Sequence, residues 1–481
     1  MSSLRKNYIL SLLTQTITVL APLLVTPFIA RRLQADNIGI FSYTESIVFL
    51  FGLFALLGSQ FHGRREIAYC QGDEKKELQT FAEIFITSGI TSAIVTLGYI
   101  IFAAMQSSYR LIFYIQIFEM IAFHWDIGWF YEGKENFKSL LYRNLLVKVT
   151  FIVLVFALIR TTEDLPFYVG LRVGTFLLGG ATLLFPVLYQ CYKNKIRIKR
   201  SALLTHIKKM IPLFIPQIAI QVYTVLDKTM IGIITQSPYQ NGCYEAAMKV
   251  IRVLMNFVGA AAGVLMPRIA SLHVAGRQDE IKEKLFNGVH FIFLITLPTI
   301  VGVTFAAPIF MPLFLGNGFG DAVGLLQILS VLLFLIGLSG LFGTGTLLAC
   351  GKEKKFTTCI IAGAVVNFIL NLVLIPIMGA KGAALASVGA EFIITAAMLC
   401  CLREMIPFLH FCKGFIKPAL AAAVMCGILL AVQQYLHCQA IYKLTVIVFT
   451  GGITYGVFLL LLQEKLIMDI VVHLQHKFFI K

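Results

Sequence analysis

Apolar positions in this chain run in long unbroken blocks, not in the alternating or three-four rhythm of soluble elements. Fourteen blocks of membrane-spanning length follow one another, at about 8–30, 37–61, 79–106, 109–131, 139–160, 165–191, 207–235, 240–266, 285–315, 319–350, 356–378, 380–402, 415–436 and 440–463. About 20 apolar residues in a helix cross the hydrocarbon core of a bilayer. Continuous rather than alternating blocks exclude a transmembrane β-barrel. The pattern predicts an all-α integral membrane protein with about fourteen transmembrane helices. The opening "MSSLRKNYILSLL" leads into an apolar run to Ala30 without a small-residue cleavage site, so it reads as a retained first helix and not a signal peptide.

Polar residues inside the blocks carry a second message. In the seventh block, Gln217, Gln221, Thr224, Lys228 and Thr235 are spaced four, three, four and seven apart. At about 100° per residue they fall in a stripe roughly 60° wide. A polar stripe on a membrane helix faces protein or a water-filled cavity. Ser11, Gln15 and Thr18 in the first block repeat its first three positions.

A parallel repeat accounts for that echo. "QTITVL" (15–20) recurs as "QVYTVL" (221–226), and "GRREIA" (63–68) matches "MPRIA" (266–270), at offsets of 206 and 202 residues. The expected organisation is a six-helix lobe (1–191), a basic cytoplasmic linker (192–206), a second six-helix lobe (207–404), then two additional helices and a tail (405–481). Such repeats place a substrate path at the lobe interface, so each lobe is expected to give one polar-faced helix to a shared cavity.

Composition agrees with the membrane reading: 58% of residues are hydrophobic and 13% charged, against about 25% charged in soluble domains. Net charge is +16, which in a soluble protein would suggest nucleic acid. Its distribution points elsewhere. Counting alternate loops from an inside N-terminus puts 29 of the 40 Lys/Arg on one side. Six lie on the other: Arg31, Arg32, Arg110, Arg160, Lys381 and Lys443. This is the positive-inside pattern with both termini cytoplasmic, and the basicity suits anionic lipid rather than nucleic acid.

Charges inside the blocks are the candidate chemistry, because each costs roughly 2.5–3.5 kcal/mol at a helix centre. Lys228 lies on the polar stripe and is the candidate to meet an anionic substrate; Asp227 points about 100° away and is a candidate for pairing. Glu245, Lys249 and Arg252 share one face at i, i+4 and i+7. Lys148 and Arg172 complete the internal cations. Glu45 and Glu119 are candidates for cation coupling or for interhelical pairing. Trp125 and Trp129 around Asp126 read as an interfacial aromatic belt.

No metal or cofactor site is expected. His124 stands alone, and the ten cysteines, with Cys400 and Cys401 adjacent, lack ligand spacing. Enzyme motifs are missing too: "GTLLACGKE" (345–353) has five residues between its glycines and no Ser/Thr after Lys352. Outer connections of about two to ten residues leave no room for an extracytoplasmic catalytic domain.

Several segments, in order, carry a resemblance. "FIARRLQADNIGIFSYTESIVFLFGLFALLG" with "GRREIA", "WDIGWFYEGKENFKSLLYRN", "LVFALIRTTEDLPFYVGL", "LDKTMIG" and "GAKGAALASV" resemble Wzx-type polysaccharide flippases. That family shares a superfamily with multidrug antiporters and lipid II flippases. The resemblance implies two six-helix bundles around a cavity. It also implies alternating-access transfer of an undecaprenyl-diphosphate-linked oligosaccharide from the inner to the outer leaflet of the bacterial cytoplasmic membrane. Lys228 matches the basic residue after the acid in "LDKTMIG", and Arg31 and Arg32 match the basic end of the first helix. Cavity cations would hold the diphosphate and polar side chains would meet the sugars, but sugar-contacting residues vary too much in such families to carry over. Gln15, Gln217, Gln221 and Thr224 are candidates for either part of the substrate by their place on the polar stripes, and Lys249 and Arg252 join the cations by spacing alone. Coupling to a proton or sodium gradient is a candidate energy source. Membrane lipids, a polysaccharide polymerase and glycosyltransferases are candidate partners. The competing readings are a cation-coupled multidrug antiporter of the same architecture and a membrane polymerase or glycosyltransferase.

Overall fold

The computed structural model describes the backbone of residues 2–405, 408–436, 438–464 and 467–468; the side chains of 2–23, 200, 215–217, 219–220, 222–224, 260–264 and 408–413 lie outside the description. All regular elements in that range are helical. They are α1 (Ser2–Leu56), α2 (Ser59–Tyr69), α3 (Glu74–Met105), α4 (Arg110–Trp125), α5 (Gly128–Gly133), α6 (Phe137–Leu158), α7 (Leu165–Lys193), α8 (Arg200–Thr235), α9 (Pro238–Val274), α10 (Gln278–Leu315), α11 (Ala322–Phe342), α12 (Glu353–Met378), α13 (Ala380–Cys401), α14 (Phe408–Tyr435) and α15 (Ala440–Leu461). Among the described residues, eleven helical segments are long and apolar enough to cross a membrane. The chain is an all-α, multi-spanning membrane protein.

Three boundaries differ from the hydrophobic pattern, each for a local reason. The first two blocks are one helix, α1, bent at Gln34, where φ is 66°. The intervening Arg31, Arg32, Leu33 and Ala35 are good helix formers, so one left-handed residue suffices where a loop was expected. The block at 109–131 breaks between α4 and α5. There Asp126 Oδ1 accepts hydrogen bonds from the Gly128 amide (3.3 Å) and from Arg143 Nη2 (2.9 Å), and such a side chain offers the backbone an alternative to the helix ladder. The block at 319–350 ends in a π-helical turn, Gly343–Leu348.

Helix starts follow ordinary capping chemistry. Asp73 accepts from the Lys76 amide at the head of α3 and Asn136 from the Ser139 amide at α6. Thr161 and Asp164 form a reciprocal capping box ahead of α7, satisfying amides that no preceding turn can reach.

The chain forms two compact units, residues 1–242 and 243–481. In the first, α1 packs on α3, α4, α6 and α8, while α4 packs on α7 and α2 on α5. The connection between α7 and α8 is residues 194–199, shorter than the basic linker the sequence suggests, and α8 packs with the first unit through α1, α2 and α3. In the second unit α10 packs on α11, α14 and α15, and α12 on α13. His290 on α10 ties down α14 and the segment that follows α15: its Nδ1 donates to the Gly414 carbonyl (2.9 Å) and its Nε2 lies 2.5 Å from Glu464 Oε1. Outward faces are apolar, as at Ile94, Leu97 and Ile101 of α3 and Val365, Ile369 and Leu372 of α12, where a bilayer takes the place of water.

Trp129 corrects the aromatic-belt expectation. It is buried in a cluster with Ile67, Leu78, Phe81 and Leu183, stacked 5.6 Å from the Phe81 ring, because the break at Asp126 turns α5 inward against α2. Removing so large a buried side chain costs about 3–5 kcal/mol in protein interiors. Trp129→Ala is therefore expected to lower the thermal unfolding midpoint of the detergent-solubilised protein clearly more than Trp125→Ala, whose ring is only half-buried.

Candidate functional site

Four helices of the first unit bring intramembrane charges together. Glu45 comes from α1, Glu119 from α4, Arg172 from α7 and Lys228 from α8. Arg172 Nη2 contacts Glu45 Oε1, and its Nη1 lies 3.7 Å from Glu119 Oε1. Lys228 Nζ lies 3.8 Å from Glu45 Oε2, so Glu45 is shared by two cations on different helices. The Arg172 guanidinium also sits over the Phe41 ring, 4.9 Å from its centroid, a favourable cation–π placement.

The cluster balances two acids against two bases. Burying one such charge alone is far costlier than burying it with its partners, so these helices hold one another in place through it. Its hydrogen-bonding capacity is not used up. Glu119 Oε2, Arg172 Nη1, Ser42 Oγ and both amide atoms of the fully buried Gln116 make no hydrogen bond among the described residues. Gln116 stands one turn before Glu119 on α4, and Ser42 one turn before Glu45 on α1, so unspent polar groups flank the ion pairs.

The wall beside Lys228 is built by close neighbours. Asn241, in the first turn of α9, donates through Nδ2 to the Lys228 carbonyl (2.9 Å), and Thr229 donates to Ser46 Oγ (2.8 Å). Asp227 is buried as well. Gln221 is half-buried. The side chains of Gln15, Gln217 and Thr224 lie outside the described residues.

The remaining sequence candidates fall elsewhere. Arg31 and Arg32 are exposed beside the bend in α1. Arg32 donates to the Arg160 carbonyl (3.3 Å), and the Arg31 carbonyl accepts from Gln34 Nε2 (2.9 Å). In the second unit Arg252 Nη1 lies 3.5 Å from Glu245 Oε1, with Glu245 buried and Arg252 exposed. Lys249, between them in sequence, is half-buried. Glu391 of α13 is buried and contacts the Ser339 hydroxyl of α11.

Sequence reasoning recognised Arg172 as an internal cation but not as the hub of the cluster, and it passed over Gln116, Ser42 and Asn241. The helical spacing of Gln116 to Glu119 and of Ser42 to Glu45 could have flagged two of them; nothing in the sequence ties Asn241 to Lys228.

Comparison with known proteins places the chain in a family. The family model described as "Polysaccharide biosynthesis protein" matches residues 4–273, more than half of the chain, and the chain belongs to that family. A candidate O-antigen transporter of Escherichia coli (strain K12) is 24% identical over 415 residues, covering 84% of this chain and 97% of that protein. A candidate flippase of low-salt glycan biosynthesis from Haloferax volcanii is 24% identical over 242 residues, about half of each chain. Among solved structures, the lipid II flippase MurJ in an inward closed conformation superposes with a TM-score of 0.76 at 15% identity, covering 96% of this chain and 100% of that one. An inward-facing multidrug resistance transporter of the MATE family, of the MOP superfamily, gives 0.59 at 13% identity over 84% of this chain and 94% of that one. The fold is that of these membrane transporters.

Breaking one side of a buried pair leaves the other charge uncompensated, at about 3–5 kcal/mol. Arg172→Leu is expected to abolish monodisperse protein on size-exclusion chromatography in detergent. The double variant Arg172→Leu/Glu119→Gln should recover a substantial fraction of it, because the most buried acid of the cluster is then neutral.

Proposed function

We propose that this chain flips an oligosaccharide carried on a lipid from one leaflet of the membrane to the other. It is a transporter, not an enzyme, and serves the assembly of a surface polysaccharide. The observation that carries this reading is the match to the candidate O-antigen transporter of Escherichia coli over 97% of that protein's length, by a chain with a transporter fold and polar chemistry buried among its spanning helices.

The finer features proposed here rest on the family resemblance and on the charge pattern of the chain. The carrier is undecaprenyl diphosphate and the direction is inner to outer leaflet of the bacterial cytoplasmic membrane. Fourteen spans in two six-helix lobes, 1–191 and 207–404, with two further helices in 405–481 and both termini cytoplasmic, provide alternating access. A cytoplasmic glycosyltransferase supplies the substrate and a polymerase on the outer side consumes it. A proton or sodium gradient drives the cycle, with Glu45 or Glu119 as the responding acid.

Lys228 is the proposed contact for the diphosphate, helped by Lys249, Arg252, Arg31 and Arg32. Its pairing with Glu45 gives that role a physical form. A dianionic diphosphate competes with Glu45 for the ammonium, and Glu45 keeps Arg172 as partner when Lys228 turns to substrate. A charge so held remains in the apolar segment without a substrate bound.

Lys228→Gln keeps the size and removes the charge, and Lys228→Arg keeps the charge. Lys228→Gln is expected to reduce flipping of the lipid-linked oligosaccharide by about tenfold or more, the loss of one charge-assisted contact of about 1.5–3 kcal/mol, with Lys228→Arg retaining most activity. The measurement is the fraction of lipid-linked glycan reached by an external glycosidase in proteoliposomes, at matched protein levels. Equal flipping by Lys228→Gln and wild type would remove Lys228 from the substrate path.

A further inference from the structure

The first unit holds a polar pocket that the charge cluster does not use. It has a volume of about 440 Å³ and lies where the α3–α4 connection and the α8–α9 turn meet α1, within the roughly 300–1,000 Å³ of small-molecule sites. Its lining offers the hydroxyls of Ser107, Ser108 and Ser237, the amides of Gln106 and Gln236, and the rings of Tyr43 and Tyr109. Among the described lining residues no side chain is charged.

One wall of the pocket is clamped together by direct backbone contact. A Cβ built on Gly39 would lie 1.7 Å from the Pro238 carbonyl oxygen, and one on Gly242 would lie 1.9 Å from the Ala35 carbonyl oxygen. Only glycines let α1 and the start of α9 cross so closely. Asn241, set between these contacts, lines the pocket and is fully buried. Its amide nitrogen donates to the Lys228 carbonyl, whereas its Oδ1 has no hydrogen-bond partner among the described residues. Buried acceptors are nearly always satisfied, and this one has no surface open to the pocket, so a donor from a ligand meets it once the Asn241 side chain turns toward the pocket.

We propose that this pocket binds a neutral sugar residue of the transported oligosaccharide, with Asn241 Oδ1 accepting from a sugar hydroxyl. The lining matches a sugar: many donors and acceptors for the hydroxyl rim and aromatic surface for the C–H face. The lack of cations disfavours the diphosphate, which assigns the pocket to the glycan end of the substrate. The connections that form it belong to the side poor in Lys and Arg, the outer side by the positive-inside pattern, so the sugar rests there as the glycan emerges. This inference rests on the transport reading above.

The test uses the full chain in nanodiscs and the oligosaccharide repeat released by mild acid from the host's own lipid-linked pool. Hydrogen exchange is expected to slow several-fold in the segments 106–109 and 236–241 when the glycan is added, and to stay unchanged at α12 and α13. Ser108→Trp, at an exposed position on the rim, should abolish that protection while leaving the exchange of the rest of the chain as in wild type. No slowing in wild type at millimolar glycan, or protection that persists in Ser108→Trp, overturns the proposal. Proteoliposome flipping by the wild type separates the two readings. If lipid-linked glycan is moved but neither segment is protected, the pocket assignment falls alone. If no lipid-linked glycan is moved, the transport reading falls, and the exchange result still decides whether the pocket takes a sugar.

Discussion

A charge in hydrocarbon must have its counter-charge within reach, and the first unit is arranged around that requirement. Arg172, reaching from α7, touches acids on α1 and α4, and one of those acids also holds Lys228 from α8. Apolar packing between helices gains little in a bilayer, since lipid tails are as apolar as Leu. Pairing of buried charges is specific in a way that apolar contact is not. Four helices are thereby placed in register by side chains that none of them could carry alone.

The same interaction connects structure to work. Glu45 serves two cations, so neither of its partnerships uses its whole charge, and Arg172 is likewise divided between two acids. Beside them Gln116, Ser42 and Glu119 keep polar atoms unspent. A rigid, fully satisfied network would only hold the bundle; a divided one can exchange partners without stranding a charge. That property suits the proposed role of Lys228 in meeting an anionic lipid headgroup. The neutral pocket walled by Asn241 adds a surface of different chemistry one helix turn from the Lys228 backbone.

Much of the membrane architecture was legible in the chain, because length and apolarity are properties of single segments. Helices α3, α12, α13 and α15 sit within a few residues of the hydrophobic pattern, whereas α10 and α14 each begin seven residues before their blocks and α11 gives way to the π-helical turn. Breaks were harder to see. Asp126 reads as a charge in an aromatic run, yet it ends α4 by accepting from Gly128 and Arg143, the latter 17 residues away. Trp129 follows from that break, since a turn inward buries a ring that the sequence alone would leave at the interface.

Segment length, apolarity and charge placement are enough to define the class of the protein: helical, membrane-spanning, with costly charges at Glu45, Glu119, Arg172, Asp227 and Lys228 and a strong asymmetry of Lys and Arg. Those conclusions need only the price of polar groups in hydrocarbon, which each residue pays wherever it packs. Which charge meets which was decided by tertiary structure alone. Arg172 and Glu45 are 127 residues apart, and Asn241 meets the Lys228 backbone only because Gly39 and Gly242 let two helices cross at backbone contact. Pairing depends on the rotation and depth of whole helices, and no local spacing encodes those.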